Sequence, residues 1–317
     1  MLRNAVKYVL STVIIFGVAF FFYRAFQKNW ANIQSQTFRL DYTFLLLSFG
    51  AMLATYLLST YGWYLAINTL SDRARITFPQ SIATVNSSSL VKYIPGKIWS
   101  YALQMYWLVR AGFSKSLIVY VNVINLFISI ITSVIAGLVF LLFSTNKFPF
   151  AATFSLLLVL IILDISCVAC NAATFNGILA LINRLFNRDI KYFDISKKLM
   201  LDLHLIHFAA AFTFGIGAYL LSLGIGYHVG PDKILLVMSS LLISDVIGFL
   251  ALIVPGGLGV REGVMYLILG GGATGSLSLL LPVTSRMVNM LVDIFLGAIA
   301  LRLLRNFIKT DWAENKL

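Results

Sequence analysis

The chain is short of charge, short of cysteine and without a long polar stretch, and each shortage excludes a class of protein. Charged residues make up 11% of its 317 residues and hydrophobic ones 60%, with mean hydropathy +0.90. No soluble globular domain has this balance. The longest polar stretch, 183–198, is too short for a catalytic domain, and the tail 309–317 is shorter still. The two cysteines, Cys167 and Cys170, stand in C-x-x-C spacing within an apolar run. A redox pair needs an accessible thiolate near a cation or a helix N-terminus, and a zinc site needs two further ligands. Neither is nearby, so both read as inert apolar side chains. No metal triad, nucleotide-binding loop or credibly spaced carboxylate pair occurs. No cofactor, no metal and no enzymatic reaction is therefore expected.

What the chain has is long apolar runs, several exceeding the roughly 18–20 residues that cross a bilayer. An all-α polytopic membrane protein follows. Spans are expected at about 6–26, 42–70, 117–143, 150–175, 199–223 and 276–304. The N-terminus resembles a signal sequence, with Arg3 and Lys7 before an apolar run, but no Ala-x-Ala-like site follows and an uncleaved anchor is expected. The net charge of +12 fits cytoplasmic loops and anionic headgroups rather than nucleic acid.

Two further apolar segments, about 78–109 and 234–269, are broken by Pro95-Gly96 and Pro255-Gly256. In lipid every backbone N–H and C=O needs a partner, so broken helices occur only where they pack in protein or line a wet cavity. Paired breaks in two halves point to a transport site. Laying each residue on the one 160 positions later puts Pro95-Gly96 on Pro255-Gly256, Ser116 on Ser276 and Gly137 on Gly297. The triplet Asn125, Ser129, Ser133 falls on Ser285, Asn289, Asp293 without a gap. An internal duplication is expected: repeat one at about 5–145, repeat two at about 150–306, a cytoplasmic tail at 307–317, all in one transmembrane domain.

If each broken segment is a re-entrant hairpin, each half has three true spans and the second half is inverted. With both termini cytoplasmic, fifteen of the 24 basic residues then lie inside, five of them in the loop 183–198. Five lie outside: Arg24, Lys28, Arg39, Lys147 and Lys233. Lys92, Lys97, Arg261 and Arg286 remain at membrane depth. The alternative of eight crossings moves the loop 183–198 outside, against the positive-inside rule. The run 234–254 is long enough to span by itself, so the second segment is also open to a kinked crossing.

Charges at membrane depth mark substrate or ion pathways by default. Lys97 lies just past the first break, facing a cavity; Lys92 fits a cavity or the interface equally well. Arg261 and Glu262 follow the second break and pair with each other or with other parts of the site. Arg286, Asn289 and Asp293 share one helix face, as do Asn122, Asn125, Ser129 and Ser133. The Asn/Ser stripe is equally read as interhelical glue. Asp245, Glu262 and Asp293 are candidates for proton coupling, since burial raises a carboxyl pKa. Asp164 has no readable partner, and His204 and His207 read as interfacial packing. Half-helices beginning after each Pro-Gly present a positive dipole end, and with Lys97, Arg261 and Arg286 they suit an anionic group such as a phosphate.

The stretch Val254-Pro255-Gly256-Gly257-Leu258-Gly259-Val260-Arg261-Glu262-Gly263 resembles the P-G-G-L-G-x-x-E signature of the lysylphosphatidylglycerol synthase membrane-region family, and Lys92-Tyr93-Ile94-Pro95-Gly96-Lys97 resembles its N-terminal counterpart. The resemblance covers about residues 5–305. It implies Pro255, Gly256, Gly257, Gly259 and Glu262 as motif positions and lipid translocation or lipid handling as the theme. Members include flippase parts of aminoacyl-phosphatidylglycerol synthases, hopanoid-linked proteins and membrane portions of dolichol-linked glycosyltransferases. These 317 residues hold neither an aminoacyl-transferase nor a glycosyltransferase domain, so synthase activity is not expected. The expectation is a flippase of the bacterial inner membrane for a lipid with an anionic or polar headgroup. Lys92, Lys97, Asn125, Arg261, Glu262, Arg286, Asn289 and Asp293 bind it, and the Pro-Gly tips act as gates. The alternatives are a non-catalytic membrane partner of a separately encoded glycosyltransferase or lipid synthase, and a membrane-embedded transferase on lipid-linked sugar.

Overall fold

The computed structural model describes residues 27, 40–72, 74–89, 99–144, 150–169, 176–177, 180, 183–184, 191–227, 229–251, 257–270 and 277–314. Every regular element among them is helical: α1 (Tyr42–Leu70), α2 (Phe78–Ser89), α3 (Trp99–Arg110), α4 (Lys115–Ser144), α5 (Phe150–Ala169), α6 (Lys197–Gly224), α7 (Pro231–Leu250), α8 (Val260–Ile268) and α9 (Leu277–Glu314). Five stretches among the described residues are long and apolar enough to cross a membrane: Tyr42–Leu70, Lys115–Ser144, Lys197–Gly224, Lys233–Leu250 and Leu277–Arg305. The expected spans 42–70, 117–143, 199–223 and 276–304 thus fall on α1, α4, α6 and α9, and the span 150–175 falls on α5 as far as residue 169. The expected span 6–26 and both Pro-Gly pairs lie outside the described residues. The described arms of the broken segments are α2 and α3, then α7 and α8; α7 by itself contains one of the five long apolar stretches.

Burial is inverted relative to a water-soluble protein. Leu46, Leu158, Ile162, Leu291 and Ile294 face outward, while Ser81, Thr84, Ser87 and Ser88 of α2 and Ser239, Ser240 and Ser244 of α7 are buried. A multi-pass membrane protein accounts for this, because lipid accepts the leucines and rejects polar groups. The buried hydroxyls bond their own helix. Thr84 Oγ1 donates to Gln80 O at 2.8 Å, Ser88 Oγ to Thr84 O at 2.7 Å and Ser240 Oγ to Val237 O at 2.7 Å. Small, self-satisfied side chains let helices approach closely. α2 packs on α9, and α7 packs on α4. At the α4–α7 contact, a Cβ on Gly137 would stand 2.7 Å from Ile243 Cγ1.

Two apolar clusters mark the two ends of the bundle. One gathers Trp63 and Ile67 from the end of α1, Ile76 before α2, Leu108 near the end of α3, Leu117 and Tyr120 from the start of α4, and Ile195, Leu199 and Leu203 around the start of α6. The other gathers Leu141 near the end of α4, Leu221 and Ile225 at the end of α6, Leu236 in α7, Leu269 after α8, and Leu277 and Leu281 at the start of α9, with Leu45 of α1 against it. α1 and α6 run antiparallel. Asp41 N–H donates to Gly224 O at 3.0 Å, Ser48 Oγ to Gly217 O at 2.8 Å, and the Thr55 and Thr213 hydroxyls meet at 2.9 Å.

Local chemistry sets the turn at the first end. Asn68 clasps Ile76 at both backbone groups, donating to its carbonyl at 2.8 Å and accepting from its N–H at 2.9 Å. Arg75 Nη1 donates to the carbonyls of Asn68 and Ser71 at the end of α1, where a cation complements the helix dipole. Thr77 and Gln80 form a capping box that starts α2: Thr77 N–H donates to Gln80 Oε1 at 2.8 Å, and Gln80 N–H to Thr77 Oγ1 at 3.4 Å.

Candidate functional site

The glycines after the second break are there for backbone reasons. Gly257 and Gly259 have φ of 64° and 78°, a region that L side chains rarely adopt. Gly257 also lies against α7, where a Cβ on it would stand 2.4 Å from Gly248 O. The chain therefore turns tightly against α7 and enters α8 at Gly259. Glu262, three residues on, reaches back and accepts from Gly259 N–H through Oε2 at 2.6 Å. An acidic residue in the first turn satisfies a free backbone donor and complements the positive helix end.

Two ion pairs flank this first turn of α8. Glu262 Oε1 accepts from Arg286 Nη1 of α9 at 2.6 Å, with side-chain exposures of 7% and 17%. Arg261 Nη1 lies 3.1 Å from Asp245 Oδ1 of α7, with exposures of 12% and 47%. Arg261 and Glu262 do not pair with each other: successive helix residues point about 100° apart, so Arg261 turns to α7 and Glu262 to α9. Both oxygens of Glu262 are thus engaged. Arg261 is different, because its Nε and Nη2 are buried and have no partner among the described residues. Buried polar groups are nearly always hydrogen-bonded, and a guanidinium offers five donors in a planar fork that matches a phosphate or carboxylate.

The remaining expected residues are placed as follows. Asn289 is 4% exposed on α9; its Nδ2 donates to Ser285 O at 2.9 Å and its Oδ1 has no partner among the described residues. Asp293 is buried on the same helix. The structure brings Asp245, Arg261, Glu262 and Arg286 together across α7, α8 and α9. Asn125 is elsewhere, in α4, with Nδ2 donating to Val121 O and Oδ1 3.1 Å from His207 Nε2. Its neighbour Asn122 accepts from Trp63 Nε1 at 3.2 Å. This part of the Asn/Ser stripe ties α1, α4 and α6 together. Lys92, Lys97, Pro95, Gly96, Pro255 and Gly256 lie outside the described residues.

One pairing has no forerunner in the sequence reading. Asp164 of α5, unpartnered there, lies 2.8 Å from His204 Nε2 of α6. His204 and His207, read there as interfacial packing, are both buried and both hydrogen-bonded to another helix. The signal that could have found the pair is chemical: Asp164 is the only charged residue in the run 150–169, and a lone carboxylate in an apolar helix needs a partner. Which partner could not be read, because 40 residues separate the two in the chain.

Among curated proteins and among solved structures, nothing matches the chain. One family model does, that of the lysylphosphatidylglycerol synthase TM region, over residues 6–297. The match runs through α1–α8 and into α9, so it takes in the turn at Gly257 and Gly259, the Arg261–Asp245 pair and the Arg286–Glu262 pair. With nearly the whole length matched, the chain belongs to the lysylphosphatidylglycerol synthase TM region family.

Proposed function

We propose that the protein moves a lipid with a phosphate or other anionic headgroup between the leaflets of a bacterial inner membrane, gripping the headgroup with Arg261. The family's description names the membrane region of a lipid synthase, which makes a membrane lipid the natural ligand. The observation that carries the reading is that Nε and Nη2 of Arg261 are buried without a partner among the described residues, while Asp245 meets Nη1. Arg286 is compensated by Glu262 and serves to hold α8 against α9. Lys97 and Lys92 supply further cationic charge from the first broken segment.

The architecture in this reading is two inverted repeats, about 5–145 and 150–306, each with a re-entrant hairpin, and a cytoplasmic tail at 307–317. Several contacts support it. The 160-residue register places α1 on α6, α2 on α7, α3 on α8 and α4 on α9. Equivalent helices α1 and α6 run antiparallel, as inversion requires. The contact of α2 with α9 is the counterpart of that of α7 with α4. The feet of α2 and α3 share one apolar cluster and those of α7 and α8 the other, which fits hairpins entering from opposite faces. The first end also carries Arg75, Arg110, Lys115, Lys191, Lys197 and Lys198, which the positive-inside rule puts in the cytoplasm, and both termini with it.

The test is reconstitution into vesicles carrying a fluorescent anionic phospholipid, with leaflet exchange read by an impermeant quencher, together with mass spectrometry of lipid that co-purifies. Exchange above protein-free vesicles is expected. A charge-assisted hydrogen bond is worth about 1.5–3 kcal/mol, so Arg261→Ala should cut bound anionic lipid and exchange by roughly tenfold or more while the protein stays inserted. Lipid that binds without exchanging would reject transport, and Arg261→Ala with unchanged lipid content would reject the grip.

A further inference from the structure

Asp164 and His204 lie at the edge of the bundle rather than at the α8 junction. α5 carries one charge, Asp164, in the run 150–169, and its Phe154, Leu156, Leu158, Val159, Ile162 and Ile165 face outward. It packs on α4 and, through Asp164, on α6. The bridge is therefore the one charged fastening of an otherwise apolar, peripheral helix that joins the two halves of the chain.

The geometry states how many protons the pair holds. His204 Nδ1 lies 2.7 Å from Met200 O. A carbonyl oxygen only accepts, so Nδ1 carries a hydrogen. His204 Nε2 lies 2.8 Å from Asp164 Oδ1. Two lone pairs would repel at that distance, so one proton sits between them, on the imidazolium or on the carboxylic acid. Either way the pair is neutral overall. Removing that proton leaves a bare carboxylate facing a ring lone pair, with a net negative charge at membrane depth.

We propose that the Asp164–His204 pair is a proton-binding site whose occupancy latches α5 onto α6. With the proton bound, the 2.8 Å bridge holds the helix; with it lost, the bridge opens and α5 is released. Among the described residues, the groups around the pair leave the proton to these two. On α6 the nearest titratable group is His207, whose Nε2 donates to Asn125 Oδ1 of α4, since Asn125 uses its amide hydrogens on Val121 O. At this level α4 offers only the uncharged Tyr120, Asn122 and Asn125, and α1 offers Gly62 and Trp63. Asp194, Lys197, Lys198 and Asp202 lie towards the polar start of α6 or beside it. The latch does not depend on the lipid-transport reading.

The test reads distance rather than transport. Cys167 and Cys170 are replaced by alanine, and nitroxides are attached after Leu158→Cys on α5 and Phe208→Cys on α6, both outward-facing. Spin-label distances are then measured in lipid nanodiscs at about pH 5 and about pH 9, a range that brackets imidazole titration. A single short distance at the lower pH and a longer, broader distribution at the higher pH are expected. Asp164→Asn should keep the short distance at both values, because the amide N–H can donate to the neutral ring. His204→Ala should give the long distribution at both. A wild-type distribution that does not change with pH overturns the latch. So does an Asp164→Asn protein that keeps the wild-type response, or one released at both values.

Discussion

The α8 junction and the α5–α6 bridge both hold carboxylates inside a membrane protein, and they neutralise them by different chemistry. At the junction, Glu262 and Asp245 face arginines, whose guanidinium stays protonated at any relevant pH. At the bridge, Asp164 faces an imidazole, the one side chain that ordinarily changes charge near neutrality. The first arrangement does not change with pH and leaves two donors of Arg261 without a partner among the described residues; in the second, both ring nitrogens of His204 are engaged. The same contrast separates the halves. In the 160-residue register Arg261, Glu262, Asp245 and Arg286 fall on Tyr101, Ala102, Val85 and Leu126, so none of the four has a charged counterpart in the first half.

Three sets of substitutions would break or sharpen the comparison, and the largest effect belongs to the junction's backbone. Gly257→Ala places a methyl 2.4 Å from Gly248 O at a φ of 64°. Conformational strain and overpacking together should destabilise by at least about 3 kcal/mol, read as lost folded protein in thermal unfolding in detergent. Gly263→Ala, where a Cβ meets nothing within 4 Å, should be neutral or stabilising by up to about 1 kcal/mol. Equal losses in the two would remove close approach as the reason for the motif glycine.

Next come the charges themselves. Glu262→Gln takes the carboxylate away from Arg286 and should cost about 3–5 kcal/mol, whereas Glu262→Leu combined with Arg286→Met should recover most of it. Asp164→Asn, where an amide can still bridge to a neutral ring, should cost about 1 kcal/mol or less. If the two single changes cost the same, permanent and labile pairing would not be distinct here. The smallest effect lies between α1 and α6. Removing the Thr55–Thr213 bond by Thr55→Val should cost about 0.6 kcal/mol, the average for a hydrogen bond between membrane helices, measured by a double-mutant cycle with Thr213→Val.

Much of the helical frame was legible beforehand because hydrophobic length is a one-dimensional property. The runs 42–70, 117–143, 199–223 and 276–304 coincide with α1, α4, α6 and the start of α9 within a few residues, and α9 runs on to Glu314. The break at Pro255-Gly256 was legible because proline cannot continue a helix and lipid forbids unpaired backbone; Gly257 and Gly259 were marked only by the family resemblance, and their positive φ came from the structure. The polar residues were harder. That Arg261 and Glu262 stand together just past the break could be read; that they turn to opposite neighbours depends on helix rotation and on what stands on each side. Asn125 read as one of the headgroup's ligands, yet its oxygen is 3.1 Å from His207, a partner 82 residues along the chain. The bridge from Asp164 to His204 was invisible for the same reason.

The sequence by itself determined that this is a helical, multi-pass membrane protein of a recognisable family, where most of its long helices lie, and that a Pro-Gly pair breaks its second interrupted segment. Those properties follow from residue-by-residue transfer between water and lipid and from local backbone sterics. Only the tertiary structure decided which charges meet. In lipid every buried charge must find a partner, but the identity of that partner is set by which helix faces pack together. That packing gave Arg286 to Glu262 and His204 to Asp164, and left two donors of Arg261 free among the described residues.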